Sequence, residues 1–279
     1  MLYLVPTPIG NLEDITLRAL RILREVDLIA CEDTRTSGIL LRKYNIKTQT
    51  TAFHLYNENE KLNYLLNLLQ AGKNIAVISD AGTPGISDPG WILLKRAQEL
   101  NIKCDVLPGA SAILPGILLS GLNANKFIFL GFPPEKSSER IKLLNEIKNL
   151  NMSICFYISP HKLLKNLNDF LEVLGDRNCS LIREISKIHQ EAINNNISGL
   201  IKKFQNENIK GELVFIIEGC KQDINLLNDS WHDEAEKLLN SGKSVKDISN
   251  IIHEKYNMNK NAIKSYLNQI LRKEFKFMP

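Results

Sequence analysis

Residues 79–90 read Ser-Asp-Ala-Gly-Thr-Pro-Gly-Ile-Ser-Asp-Pro-Gly, which puts two carboxylates, three hydroxyls and three glycines into twelve positions. Small polar side chains of this kind hold a ligand by hydrogen bonds, and glycine lets the backbone approach it closely. Proline fixes the path of such a loop. Two further stretches have the same character, Pro6-Thr7-Pro8-Ile9-Gly10-Asn11 and Pro108-Gly109-Ala110-Ser111-Ala112. Other groups able to do chemistry are found in Glu32-Asp33-Thr34-Arg35, Ser159-Pro160-His161-Lys162 and Gly211-Glu212. The usual catalytic signatures are missing. The sequence has no G-x-x-x-x-G-K-[ST], no strand-linked G-x-G-x-x-G and no G-x-S-x-G, and none of its five histidines stands at metal-ligand spacing from another His or a Cys. No catalytic metal is expected, and the chemistry is expected to come from the bound ligand.

The elements that must position these residues can be read from hydrophobic periodicity. Strands are expected at 2–5, 27–31, 51–53, 75–78 and 106–107. Helices are expected from an N-cap at Asp14 through Leu23, and at 37–44, 57–71 and 91–100. Such alternation describes a mainly parallel sheet, in which ligands bind at the carboxyl ends of the strands. All three small-residue loops follow strands, so they are expected on one edge. At twelve residues the longest of them exceeds the usual two to six of a strand-to-helix connection. Beyond a linker at 121–125 the alternation repeats, with strands at 127–130, 153–157, 179–184 and 212–217 and a solvent loop expected at Asn194-Asn195-Asn196. Residues 229–279 read as all-helical, the last two helices flanking a turn over 256–259. That end resembles a helix-turn-helix, although a structural helical hairpin fits the pattern equally. The division implied is an α/β domain over 1–121, a second α/β domain over 122–224 and a basic helical domain over 225–279.

With 279 residues, 44% hydrophobic and 24% charged, the composition is that of a soluble globular protein of more than one domain. No apolar run approaches the roughly 20 residues of a membrane span, and the start lacks the charged region of a signal peptide. Five cysteines, odd in number and without C-x-x-C spacing, point to reduced thiols in the cytoplasm. The net charge of +4 is unevenly spread. From Lys237 to Pro279 there are nine Lys or Arg against three Asp or Glu, which leaves the rest of the chain slightly acidic. A basic end of this kind suggests a polyanionic partner.

The blocks 5–12, 32–35, 79–90, 108–112 and 120–122, with Phe156-Tyr157, Ser159-Pro160-His161 and Gly211-Glu212, resemble those of the bacterial 16S rRNA cytidine 2′-O-ribose methyltransferases. These are members of the tetrapyrrole methylase superfamily, and the resemblance covers essentially the whole chain. It implies two α/β domains with parallel or mixed sheets, S-adenosylmethionine bound between them, and a homodimer acting on cytidine 1402 in the decoding centre of the 30S subunit. Carried over residue by residue, Pro8, Ser79, Asp80, Thr83, Ile86, Ser111 and Ala112 line the cofactor site. Tyr157, Ile185 and Gly211 close it from the second domain. A ribose hydroxyl is weakly acidic, so a base or a cation beside the oxyanion would help its methylation. Asp33, Arg35, Asp80 and Glu212 are the catalytic candidates, with His161 ranked behind them, although 32–35 reads equally as a helix cap with a local ion pair. Arg35, His161, Lys162, Lys260 and Lys264 are the candidate RNA contacts.

The chain departs from the family pattern at Ile158, where a Glu is usual, and at Lys162, where an Arg is usual; residues 192–197 also lack the usual Arg-Gly. Acid–base chemistry at 158 is thereby excluded. Other functions compatible with the sequence are a tetrapyrrole or other small-molecule methylase, a non-enzymatic RNA-binding or ribosome-assembly factor, and a ligand-sensing DNA-binding regulator.

Overall fold

The structure is a computed structural model and describes residues 1–54, 57–207, 209–220, 224–256 and 259–274. The chain divides into two compact units, Met1–Cys220 and Lys221–Pro279. In the first, β1 (Leu2–Leu4), α1 (Leu17–Glu25), β2 (Leu28–Cys31), α2 (Thr34–Lys43), β3 (Thr50–Ala52), α3 (Glu58–Gln70), β4 (Ile75–Ile78), α4 (Trp91–Glu99), β5 (Cys104–Val106) and α5 (Ile113–Leu119) follow in order. The strands form a parallel sheet in the order β3-β2-β4-β1-β5. Both β2 and β4 are buried along their whole length, which is why they read as unbroken apolar runs. The chain leaves β1 toward β2 on one side and leaves the adjacent β4 toward β5 on the other. Connections that part in this way open a crevice at the carboxyl ends of the two strands.

The second half of this unit contains β6 (Phe127–Phe129), α6 (Ser137–Ile147), β7 (Ser153–Ile158), α7 (Leu163–Leu174), β8 (Asn178–Arg183), β9 (Glu191–Asn196), α8 (Ile197–Phe204) and β10 (Leu213–Ile217). Its sheet is mixed, in the order β6-β7-β10-β8-β9, with β6 and β7 parallel and the other pairs antiparallel. One face packs on α6, α7 and α8 around Phe156, Phe170 and Phe215, whose rings stack with centroids 5.2 and 5.5 Å apart. The other face presents Cys155, Ile182, Val214 and Ile216 to Ile113 and Ile117 of α5 and to Ile9. This apolar layer joins the two sheets. Close approach of α5 depends on Gly116, where an added Cβ would lie 3.1 Å from Val214 Cγ1.

Three expectations are corrected. Residues 194–196 are not a solvent loop; they pair with β8 as the end of the edge strand β9, whose exposed face tolerates asparagine. Asp14 closes a short 3-10 turn, and Thr16 caps α1 by accepting from Ala19 N at 3.0 Å. Helix α2 starts at Thr34, three residues earlier than its periodicity suggests, because Asp33 is its N-cap.

The second unit consists of α9 (Ile224–Asn240), α10 (Val245–Tyr256) and α11 (Lys260–Glu274) around Trp231, Ala235, Ile248, Ile252, Ile263 and Leu267. Ser244 starts α10, its hydroxyl accepting from Asp247 N at 3.1 Å and donating to the Asp247 carboxylate. The turn expected over 256–259 falls partly on 257–258, outside the described residues. Glu234 of α9 offsets part of the positive charge by pairing with Lys255 at 2.7 Å, and Glu236 accepts from the Tyr266 hydroxyl at 2.6 Å.

Candidate active site

Thr7 and Gly82 exchange backbone hydrogen bonds of 2.9 Å in each direction, an isolated antiparallel bridge that ties the loop after β1 to the loop after β4. Thr7 Oγ1 also donates to Ser79 O at 2.9 Å, and Ser79 Oγ donates to Gly82 O at 3.2 Å. The third loop is joined through Thr83 Oγ1, which donates to Ala110 O at 3.1 Å. The convergence expected of the three loops is therefore built by their own small polar groups. Gly82, Gly85 and Gly90 all have positive φ, the backbone state glycine adopts without strain.

Beside these loops is a cavity of about 380 Å³. Ile9, Thr83, Ile86, Ser87, Asp88, Ser111 and Ala112 line it from the first sheet's side. From the second come Phe132, Tyr157, Ile158, Ser159, Ile185, Gly211 and Glu212. A second hollow of about 260 Å³ takes in Pro8, Ser37, Ser79, Asp80 and Lys187, and shares Ile9, Ala81 and Glu212 with the first. The structure thus brings Thr83, Ile86, Ser111, Ala112, Tyr157, Ile185 and Gly211 to one cavity and Pro8, Ser79 and Asp80 to its neighbour, with Glu212 touching both. Gly211 has φ +97°, and a Cβ there would lie 2.5 Å from Glu184 Oε1. Only glycine fits at that point of the wall.

Carboxylates gather at the strand ends. Asp80 Oδ1 accepts from Asp33 N at 3.2 Å, and Glu32 accepts from Asp80 N at 3.4 Å. Burial raises the Glu32 carboxyl, and desolvation raises Asp80. Asp88 is pushed up to about 6 by burial first and then by Glu32 and Asp80. Tyr157, packed edge-on against Phe129 at 4.8 Å, is pushed up to about 12 by burial, with Asp88 and Glu212 adding to it. Asp33 behaves oppositely. Hydrogen bonds from the Arg35 side chain and N–H hold it at about 2.

The remaining expected residues are placed as follows. Arg35 is 90% exposed and bound to Asp33 at 2.8 Å, and neither lines the cavities. Glu212 is paired with Lys187 at 3.1 Å. His161 and Lys162 are exposed in the turn after β7, where Lys162 pairs with Glu135. Lys260 and Lys264 are exposed on α11 of the second unit. Asp88, Glu32 and Phe132 were missed. Their loops stand out in sequence, but that Asp88 and Phe132 enter the cavity wall while Glu32 instead accepts from Asp80 N depends on the path of the backbone. Among the described residues, no group of three or more His, Cys, Asp or Glu is arranged to hold a metal ion.

Residues 1–201 match the family described as Tetrapyrrole (Corrin/Porphyrin) Methylases. The chain belongs to this family. A relative from Thermotoga maritima, named Ribosomal RNA small subunit methyltransferase I, is 44% identical over 218 residues, which cover 78% of this chain and 98% of that protein. A protein of the same name from Pasteurella multocida is 41% identical over 271 residues, 95% of this chain and 96% of the relative. Among solved structures, a diphthine synthase superposes with a TM-score of 0.62 at 14% identity, covering 78% of this chain and 89% of that one. A uroporphyrin-III-C-methyltransferase from Thermus thermophilus gives 0.56 at 16% identity, covering 78% and 93%. At these identities the structural likeness concerns the fold alone. Membership makes this chain a methyltransferase with the tetrapyrrole methylase fold, and its cavity is lined from both of its sheets.

Proposed function

We propose that this tetrapyrrole methylase transfers a methyl group from S-adenosylmethionine to the ribose 2′-oxygen of a cytidine in 16S rRNA, position 1402 of the decoding centre. The observation that carries the reading is the cavity itself, assembled from three small-residue loops of one sheet and from Tyr157 and Gly211 of the other. Its groups fit the donor. Serine and threonine hydroxyls and loop backbone suit the amino-acid and ribose parts, while Ile9, Ile86 and Ile185 suit the adenine. The raised carboxyls of Asp80, Asp88 and Glu32 mark a site short of positive charge, and a cationic donor would relieve it. When bound, the donor supplies an activated methyl group on a sulfonium.

Pro8, Ser79, Asp80, Thr83, Ile86, Ser111, Ala112, Tyr157, Ile185 and Gly211 are assigned to the donor. Exposed Phe132, 5.5 Å from Tyr157, offers a face on which an unstacked base can rest. Arg35, His161, Lys162, Lys260 and Lys264 are assigned to phosphates. Positioning of the hydroxyl in line with the methyl group then supplies much of the acceleration. The reading includes a cytoplasmic homodimer; no described helix is long and apolar enough to cross a membrane, and exposed Leu114 and Leu118 on α5 give a second copy an apolar strip to cover.

The test is methyl transfer from labelled S-adenosylmethionine to 30S subunits lacking the modification, followed by mass mapping of the RNA. A methyl group on the ribose of that cytidine is the expected product. Donor binding without RNA labelling would shift the assignment to a small-molecule methylase. RNA binding with no donor binding would shift it to an assembly factor.

A further inference from the structure

We propose that Lys187 is the cation that stabilises the acceptor oxygen of the substrate ribose, and that the smaller hollow receives this ribose. The inference rests on the methyl-transfer reading above and names a group which that reading leaves open.

A ribose oxygen gains negative charge as its proton leaves, and an N–H donor already fixed beside it stabilises that charge without reorganising. Among the described residues that line the two hollows, Lys187 is the one Lys or Arg; the other charged groups there are Asp80, Asp88 and Glu212. Lys187 lines the smaller hollow, which meets the larger one at Ile9, Ala81 and Glu212. A ribose in the smaller hollow therefore lies beside a donor seated in the larger. Thr36, Ser37 and Ile39 of α2 belong to the same wall, next to the exposed Arg35 assigned to a phosphate. An RNA strand held at Arg35 is placed to enter here.

The lysine is held on every side. Glu184 Oε1 accepts from its Nζ at 3.0 Å and Glu212 Oε2 at 3.1 Å. Burial disfavours the ammonium, but the two carboxylates outweigh it and raise its pKa, so Lys187 stays charged. Its stem lies against the loop after β1, where a Cβ on Gly10 would collide with Lys187 Cγ. Glu184 and Ser186 have φ of 53° and 67°, a left-handed backbone that is unfavourable for any residue but glycine and that clusters at functional sites. Ser186 fixes this bend, its hydroxyl binding Asp14 and its N–H donating to Gln190 Oε1 at 2.8 Å. The bend is tied to β10 without the lysine, through Glu184 N to Glu212 O and Glu212 N to Glu184 Oε1, each 2.9 Å. An ammonium has three N–H bonds. Two are engaged here, and among the described residues nothing accepts the third.

In the step proposed, the ribose hydroxyl gives its proton to water, and the oxygen that keeps the O–H electron pair is held by the third N–H of Lys187. This oxygen then attacks the methyl carbon. An oxygen–methyl bond forms, the sulfur–methyl bond breaks, and its electron pair stays on the now neutral sulfur. Lys187 remains an ammonium throughout.

The test uses the full-length protein with Lys187→Met, Lys187→Gln and Lys187→Arg. Single-turnover methylation of unmodified 30S subunits, with both substrates saturating, should fall about 10²–10³-fold in the Met and Gln variants, and the Arg variant should recover part of the rate. The Gln variant keeps an N–H for the two carboxylates and serves if Met lowers the Tm. From about pH 7 to 9 the rate should climb with equal slope in wild type and Met, because loss of the hydroxyl proton sets the slope and the ammonium does not titrate there. S-adenosylmethionine and S-adenosylhomocysteine, measured by calorimetry, and 30S subunits, measured by filter retention, should bind within about twofold of wild type. An unchanged rate at saturation overturns the proposal. So does a loss confined to donor affinity, which would put the lysine on the donor's carboxylate, or one confined to subunit affinity, which would make it a phosphate contact. A Met variant without the pH slope also overturns it, by making Lys187 the base. Failure of the methyl-transfer reading would look different, because wild type itself would leave the subunits unlabelled.

Discussion

Replacing Thr7 by valine removes one hydroxyl from the point where the loops after β1 and β4 are joined, and the cost can be worked out. Thr7 is 3% exposed, and its Oγ1 is 2.9 Å from Ser79 O. A hydrogen bond of this kind contributes about 0.5–1.5 kcal/mol net, and a buried acceptor left without its donor costs about 1–3 kcal/mol. The two Thr7–Gly82 backbone bonds survive the change, so the fold should persist at a penalty of about 2 kcal/mol. For a unit of this size that corresponds to a Tm about 4–8 °C lower by circular dichroism. Because Ser79 belongs to the assigned donor site, S-adenosylmethionine should also bind less tightly by calorimetry, by about two- to fivefold if 0.5–1 kcal/mol of the disturbance reaches the ligand. Thr7→Ser keeps the hydroxyl and should recover most of both losses. A valine variant with wild-type Tm and affinity, or a serine variant as weak as valine, would refute the idea that this hydroxyl holds the two loops together.

Other substitutions test separate parts of the structure. Arg140 is 1% exposed and binds Asp169 and the Pro134 carbonyl, so Arg140→Met, which leaves the partly buried Asp169 carboxylate with the Ser137 hydroxyl but no counter-charge, should cost about 3–5 kcal/mol in urea denaturation. Adding Asp169→Leu should recover part of that loss; a single variant as stable as wild type would show the pair to be dispensable. Asp88 has a folded pKa near 6, above its ordinary value of 3.8, so its contribution to stability is present below about pH 4 and is lost as pH rises through about 6. Asp88→Asn should therefore melt higher than wild type above pH 6 and show no gain below pH 4, as thermal scans across that window would reveal. Truncation after Lys221 should weaken RNA binding and flatten its dependence on salt while leaving donor affinity intact. Equal RNA affinity in the truncated protein would remove the helical unit from substrate recognition.

Within the first sheet, β5, interrupted by Asp105, covers Cys104–Val106 instead of the expected 106–107, whereas β2 and β4 were legible because they are continuous apolar runs, and the loops are compositionally distinct from everything around them. The edge strand β9 was not, since Glu191, Asn194 and Asn195 face solvent and carry no apolar alternation. The start of α2 was missed in periodicity because Asp33 is a cap, and caps precede the repeating pattern. Within the site, the loop at 79–90 announced a ligand, and the resemblance supplied Tyr157, Ile185 and Gly211 from the distant half of the chain. Nothing in the order of residues distinguishes Asp88 from Asp80. The difference arises from folding, which gives Asp80 a backbone N–H and leaves Asp88 in the cavity wall without one.

The span of that wall bears on when the protein becomes competent during its own synthesis. The cavity runs in sequence from Ile9 to Val214, and Ser186 binds Asp14 across 172 positions. Contacts so far apart form only after the intervening chain has been made and its loop-closure entropy overcome. A nascent chain that has completed the first sheet possesses half a wall and no enclosed hollow. Affinity for a methyl donor should therefore arise abruptly once β10 has emerged and docked between β7 and β8. Until then the three prepared loops stand open to water, with neither a donor nor an opposing surface.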